Sequence, residues 1–140
     1  MLMAKRKVVF SEAIRKEMAR REEYRCEYCR IGQAQTVYPF HLDHIISLKH
    51  GSLTIESNLA YTCPDCNYNK GSNIGTFLNP PERQFTPLFH PLIDQWEDHF
   101  EEIEGLISPL TIIGEATARI LLFNSPERII LRRELAGSYH

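Results

Sequence analysis

The chain has no apolar run approaching the roughly 18 residues that a membrane span needs, so no span is expected. Its opening, MLMAKRKVVFSEAIRKEM, is basic but lacks the apolar core of roughly 7–15 residues that a secretory signal carries behind its charges. Export is therefore not expected, and a cytoplasmic location is. Internal repeats and low-complexity tracts are absent too, which sets aside solenoids and disordered linkers. Neither sign of charge dominates: 16 Lys and Arg stand against 18 Asp and Glu, a net of −2, which does not by itself mark a nucleic-acid binder. Cysteine is scarce. All four copies fall into two CxxC pairs, Cys26–Cys29 and Cys63–Cys66. Without an export signal, that pattern favours metal ligation over a disulfide pair or a redox CxxC.

What is present fits one globular domain of 140 residues, with 43% hydrophobic and 24% charged side chains. The charges are unevenly spread. Residues 1–30 hold nine Lys and Arg against five Glu, a net of +4, whereas residues 80–105 hold one Arg against seven Asp and Glu, a net of −6. A basic front and an acidic rear could orient the protein on a polyanion; a solvated helix of mixed charge is the plainer reading.

Residues 1–9 read as a frayed basic tail. Ser11 looks like an N-cap for a helix running to about Tyr24, with Ile14 and Met18 on one face. CEYC predicts a tight turn that Gly32 relieves. Thr36–Tyr38 and Phe40–Leu42 predict a short strand up to Asp43, and Ile45–Ile46 the start of a second. Residues 47–57 read as a loop. Pro64 at a first helical position predicts a short helix to Lys70 with Gly71 as its C-cap. Residues 72–90 read as a Pro-rich loop. The four-residue spacing of Leu92, Trp96 and Phe100 predicts an acidic amphipathic helix over Pro91–Glu104. Helices over Gly114–Phe123 and Pro126–Leu135 close the chain. Trp96 and Phe100 are expected to pack onto the small N-terminal unit rather than to form a base-stacking platform.

The doubled CxxC, with 33 residues between the pairs, offers four thiolates to one ion. Zn²⁺ accepts four thiolates in a tetrahedron, and a site so filled has no open position for water. Cys26, Cys29, Cys63 and Cys66 are therefore expected to hold a structural zinc that supplies much of the folding energy of a small core.

Between and around the pairs run FHLDHIISLKHG and SNLAYTCPDCNYNKG. Together with CEYC they resemble the signature of the HNH endonuclease family, in the subclass whose ββα-metal finger is pinned by four cysteines. The match covers about 45 residues. The tail segments FTPLFHPLIDQWEDHF and LTIIGEATARILLFN, with a closing Arg, are similar to a widespread group of uncharacterised HNH proteins. The resemblance implies an α+β fold: a small zinc-stabilised ββα-metal (His-Me finger) core with flanking N- and C-terminal helices. One domain over 1–140 is expected, with a basic helix over 11–25, the pinned core over 26–72 and a helical extension over 73–140.

The resemblance also assigns roles. His44 would be the general base, because imidazole titrates near neutral pH and can take a proton from water. Asp43, on the opposite side of an extended strand, would ligate a divalent ion, Mg²⁺ or Mn²⁺, through oxygen. Asn67 stands where the family often has its last His, and its amide oxygen would be the second ligand. Asn58 corresponds to the middle Asn and would hold the loop and the orientation of the base. His41 could be a further ligand or phosphate contact, or else a structural or exposed histidine. Lys70 could bind phosphate, or serve as a cation at a helix C-terminus. Ser47 and the Gly51–Ser52 pair depart from the family's usual Pro and Gly-Gly, and both lie in the loop. The activity implied is metal-dependent hydrolysis of phosphodiester bonds in DNA, double-stranded DNA being the expected partner. A homodimer is expected where paired cuts are made. The alternative is a non-catalytic zinc-stabilised module that binds nucleic acid or protein.

Overall fold

The computed structural model describes residues 10–79 and 84–137. The basic tail expected over residues 1–9, and the Pro80–Pro81 pair of the expected loop, lie outside the described residues.

Helix α1 spans Glu12–Arg21. Ser11 is its N-cap: the backbone is extended there and the hydroxyl accepts from the Ile14 N–H at 3.2 Å. Met18 and Ala19 are its buried face. The helix stops when Glu23 and Tyr24 take positive φ, 54° and 60°, turning the chain into Cys26. The CEYC turn is closed by the Arg30 N–H to the Cys26 carbonyl at 2.9 Å and the Cys26 N–H to the Ile31 carbonyl at 2.9 Å. The left-handed residue that allows this is Arg30, φ 68°; Gly32 has an ordinary φ of −77°.

The finger follows. Strand β1, His41–His44, pairs antiparallel with β2, Leu59–Thr62, with Asp43 opposite Ala60 and His44 opposite Leu59. Two expectations are corrected here. Thr36–Tyr38 is not strand, and Ile45–Ile46 starts no second strand. Ile45 is instead the first residue past β1, bonded through its N–H to the Asn58 carbonyl at 2.9 Å, while the chain loops out before returning as β2. β2 is buried along its whole length, so it reads as a continuous apolar run rather than an alternating one. Helix α2 is Pro64–Lys70, with Pro64 in the first turn, Cys63 as N-cap and Gly71, φ 51°, as C-cap.

The tail is not purely helical. Strands β3 (Gly75–Phe77) and β4 (Phe85–Pro87) form one hairpin. The helix expected over Pro91–Glu104 is a single turn, α3, Trp96–His99, followed by β5, Phe100–Ile103, which pairs with β6, Leu106–Pro109. Two residues, Glu104 (φ 50°) and Gly105 (φ 86°), make the turn, and consecutive positive φ is what a tight hairpin of right-twisted strands requires. Helices α4, Ile112–Ile120, and α5, Pro126–Gly137, match the last two predicted helices closely. At Gly114 a Cβ would lie 2.3 Å from the His99 carbonyl oxygen, so α4 packs on the α3–β5 junction only because that residue has no side chain.

One core joins finger and tail. Cys26, Tyr28, Leu59 and Cys66 share it with Trp96, Phe100, Leu121 and Phe123. Phe100 is its hub, with ring centroids 5.1 Å from Trp96, 5.5 Å from Phe89 and 5.5 Å from Phe123. The Trp96 indole N–H donates to the Tyr28 carbonyl at 2.8 Å. Trp96 and Phe100 therefore pack onto the finger, although β5 and not a long helix carries Phe100. The fold is α+β, with three two-stranded sheets among the described residues.

Candidate active site

The four cysteines are buried, and their sulfurs lie within 4.8 Å of one another. Cys29 and Cys63 Sγ are 3.7 Å apart. A tetrahedral ion with metal–sulfur bonds of roughly 2.3 Å sets its sulfurs roughly 3.8 Å apart, so the cluster fits a closed four-sulfur metal site. Hydrogen bonds from Cys26 and the other two cysteines hold the Cys29 thiol well below its usual range, whereas burial pushes Cys26 and Cys66 up. A buried cation from the tail completes the site: Arg128 Nη2 lies 3.2 Å from Cys66 Sγ and 3.9 Å from Cys63 Sγ. Burial works against its charge, but the sulfurs of Cys66, Cys29 and Cys63 outweigh that and keep it protonated. Its other nitrogen donates to the carbonyls of Leu121 at 2.8 Å and Leu122 at 3.2 Å. In the sequence a closing Arg is only a tail feature; the depth of Arg128 has no local signal.

Beside this cluster, β1 and α2 meet. Asp43 and His44 are consecutive residues of an extended strand and project to opposite faces. Asp43 faces α2, where Lys70 Nζ lies 3.2 Å from its Oδ2. The two groups form an ion pair away from solvent, Lys70 being 1% and Asp43 15% exposed. Burial pushes the Asp43 carboxyl up, against the pull of the Lys70 ammonium. Lys70 stands in the last turn of α2, as expected of a helix-end cation, but its side chain is 1% exposed and turns inward, donating also to the His44 carbonyl at 2.9 Å. It holds β1 and does not reach an external phosphate. Asn67 lies one turn before Lys70 on the same side of α2 and is half-buried. His41 is exposed at the outer end of β1.

His44 is half-buried. Desolvation lowers its pKa, the Asp43 carboxylate raises it and Lys70 lowers it, for a net fall below 6.5. Its ring lies 6.1 Å from that of Phe10. Its Nε2 is 2.8 Å from the Thr54 hydroxyl, a contact no motif foretold. Asn58 is 6% exposed and ties the loop down: its amide N donates to the Ile46 and Leu53 carbonyls at 2.9 and 2.8 Å, and its oxygen accepts from the Ile46 N–H at 2.9 Å.

An imidazole whose pKa is lowered thus stands next to a carboxylate paired with a buried lysine, beside a closed four-sulfur cluster. Residues 26–73 match the HNH endonuclease family model. This stretch is an HNH finger. Comparison of the chain with curated proteins and with solved structures returned no match. The four cysteines of the HNH finger are placed to hold one metal ion, consistent with a four-cysteine zinc subclass. No helix among the described residues is long and apolar enough to cross a membrane.

The basic helix is less available than its composition suggests. Arg21 is turned into the fold, its Nη2 on the buried Glu27 carboxyl at 2.9 Å and on the Leu59 carbonyl at 2.7 Å. Arg30 pairs with Glu97 at 2.8 Å and lies 4.6 Å above the Trp96 ring. Arg15, Lys16 and Arg20 are exposed.

Proposed function

We propose that this protein is a metal-dependent endonuclease that hydrolyses phosphodiester bonds in DNA, with His44 as general base. The observation that carries the reading is the junction of β1 with α2: His44 and Asp43 leave one strand on opposite faces, Lys70 of α2 reaches Asp43 at 3.2 Å, and Asn67 stands one turn before Lys70 on that helix. Two oxygen donors suit a hard cation here, the Asp43 carboxylate and the half-buried Asn67 carboxamide. When bound, Mg²⁺ or Mn²⁺ would neutralise charge on the phosphate and the leaving oxygen. The chain's own residues do the rest. His44, depressed by desolvation, is neutral at physiological pH and takes a proton from the attacking water. Asn58 holds the loop that flanks it. Lys70 keeps Asp43 and the His44 carbonyl in place. The four cysteines hold Zn²⁺ as a structural ion, and a reducing cytoplasm suits their free thiols. The whole chain acts as one domain, its tail sealing the sulfur site. Exposed Arg15, Lys16 and Arg20 meet the phosphates of double-stranded DNA, and two copies make a paired cut.

One observation favours a second reading. A lysine already neutralises Asp43, as in a binding module that contacts nucleic acid or protein without cutting it. Supercoiled plasmid incubated with Mg²⁺ or Mn²⁺ separates the two. Nicking that falls at least about 100-fold in His44→Ala supports the nuclease. Equal retardation of the plasmid by both proteins without nicking supports the binder and refutes the nuclease.

A further inference from the structure

A general base must present a lone pair to water, and imidazole has two nitrogens. Which one carries the proton depends on what the other faces. His44 Nε2 faces the Thr54 hydroxyl at 2.8 Å. Thr54 sits on the long loop between β1 and β2 and is itself exposed, so a loose loop would exchange this contact for water. The loop is not loose at that point. The carbonyl of Leu53, the residue before Thr54, accepts from the buried Asn58 amide at 2.8 Å, and the same amide group grips both backbone groups of Ile46, two residues past His44. One side chain thus fixes both the strand exit that bears the base and the loop that bears the hydroxyl. The Phe10 ring lies 6.1 Å from the imidazole, tilted by 46°.

We propose that Thr54 is a positioning residue for His44: its oxygen accepts the Nε2 proton, which leaves the Nδ1 lone pair directed to the attacking water. Asn58 acts through it, carrying its clamp to the base by way of Leu53 and Thr54. The inference rests on His44 being the base, and it adds the residue that selects the tautomer. Removing the hydroxyl leaves the ring free to protonate at Nδ1 and to turn, both of which waste the base.

Thr54→Val and Thr54→Ser test it, on the full chain with its four-sulfur site loaded with zinc. The first readout needs no activity: ¹⁵N–¹H spectra of the imidazoles above their titration range, with the His44 signals assigned by their loss in His44→Gln. The wild type and Thr54→Ser show a protonated Nε2 and a bare Nδ1, whereas Thr54→Val shows a mixture. The second is plasmid nicking. Thr54→Val lowers kcat by about tenfold or more, because small misplacements of a reacting group have large effects, with KM nearly unchanged, and Thr54→Ser restores it. A wild-type Nδ1–H tautomer, or a Thr54→Val protein with the wild-type spectrum and kcat, overturns the inference. If His44→Gln nicks at the wild-type rate, the base assignment fails, whatever Thr54→Val does to the spectrum.

Discussion

In Arg128→Met the guanidinium that ties the tail to the sulfur cluster is lost while most of the aliphatic stem is kept. Arg128 is 8% exposed. It donates to the Leu121 carbonyl at 2.8 Å, the Leu122 carbonyl at 3.2 Å and Cys66 Sγ at 3.2 Å. Hydrogen bonds from a charged donor contribute about 1.5–3 kcal/mol each, and the acceptors left behind are buried. Taking one partner from a buried charge pair typically costs about 3–5 kcal/mol, and we expect a loss in that range. For a chain of this length that lowers the melting temperature by on the order of 10 °C. Urea unfolding in excess Zn²⁺ measures the loss directly, since metal bound to the native state adds to its stability. The same variant should give up its metal to a chelator faster, because the negative charge of four thiolates loses its counter-ion. Arg128→Lys, which keeps the charge but not the fork, should fall between the two. A methionine variant that unfolds within about 1 kcal/mol of wild type, and holds its metal as long, would refute the view that Arg128 seals the site.

Lys70→Met should destabilise the fold by about 3 kcal/mol, since it strands a buried carboxylate, and adding Asp43→Asn should recover part of that in a double-mutant cycle read by thermal unfolding. Plasmid nicking should be lost as pH falls through a value below 6.5, because desolvation lowers the His44 pKa and only the neutral ring accepts a proton; a rate that declines from pH 7 to 8 would contradict this. Burial pushes Glu27 up to about 8, overriding its bonds to Tyr61 and Arg21, so the folded protein holds a proton that the unfolded chain releases near 4.5. That contribution to stability is complete below about 4.5 and is lost as pH rises through about 8; Glu27→Gln should flatten the fall of urea midpoints between about pH 4.5 and 8.

The finger was legible because its chemistry is local. Two cysteines two apart define a turn, Pro64 and Gly71 bracket α2, and Ser11 caps α1; each signal sits within a few residues of what it specifies. Partnership at a distance was not legible. β1 pairs with Leu59–Thr62 across a loop of 14 residues, and the adjacent β-branched Ile45–Ile46 starts no strand. The stretch Pro91–Glu104 has helical spacing of Leu92, Trp96 and Phe100, yet the Glu104–Gly105 turn and the pairing of Phe100 with Pro109 outweigh it. Helical spacing describes where three apolar side chains fall, and a one-turn helix leading into a strand buries Trp96 and Phe100 just as well. At the site, the motif named Asp43, His44, Asn58 and Asn67, but not what touches them. Lys70 has the sequence position of a phosphate contact or a helix-end cation, and nothing local says that it turns inward onto Asp43. Thr54 and Arg128 carry no pattern of their own; only the fold brings them to the imidazole and the sulfurs.

The most direct test of the account is chemical rescue of the base. His44→Gly, folded and metal-loaded, should nick supercoiled plasmid at least about 100-fold more slowly than wild type in Mg²⁺ or Mn²⁺, and added imidazole should restore part of the rate in proportion to its neutral form. Undiminished nicking by His44→Gly without imidazole would contradict the account.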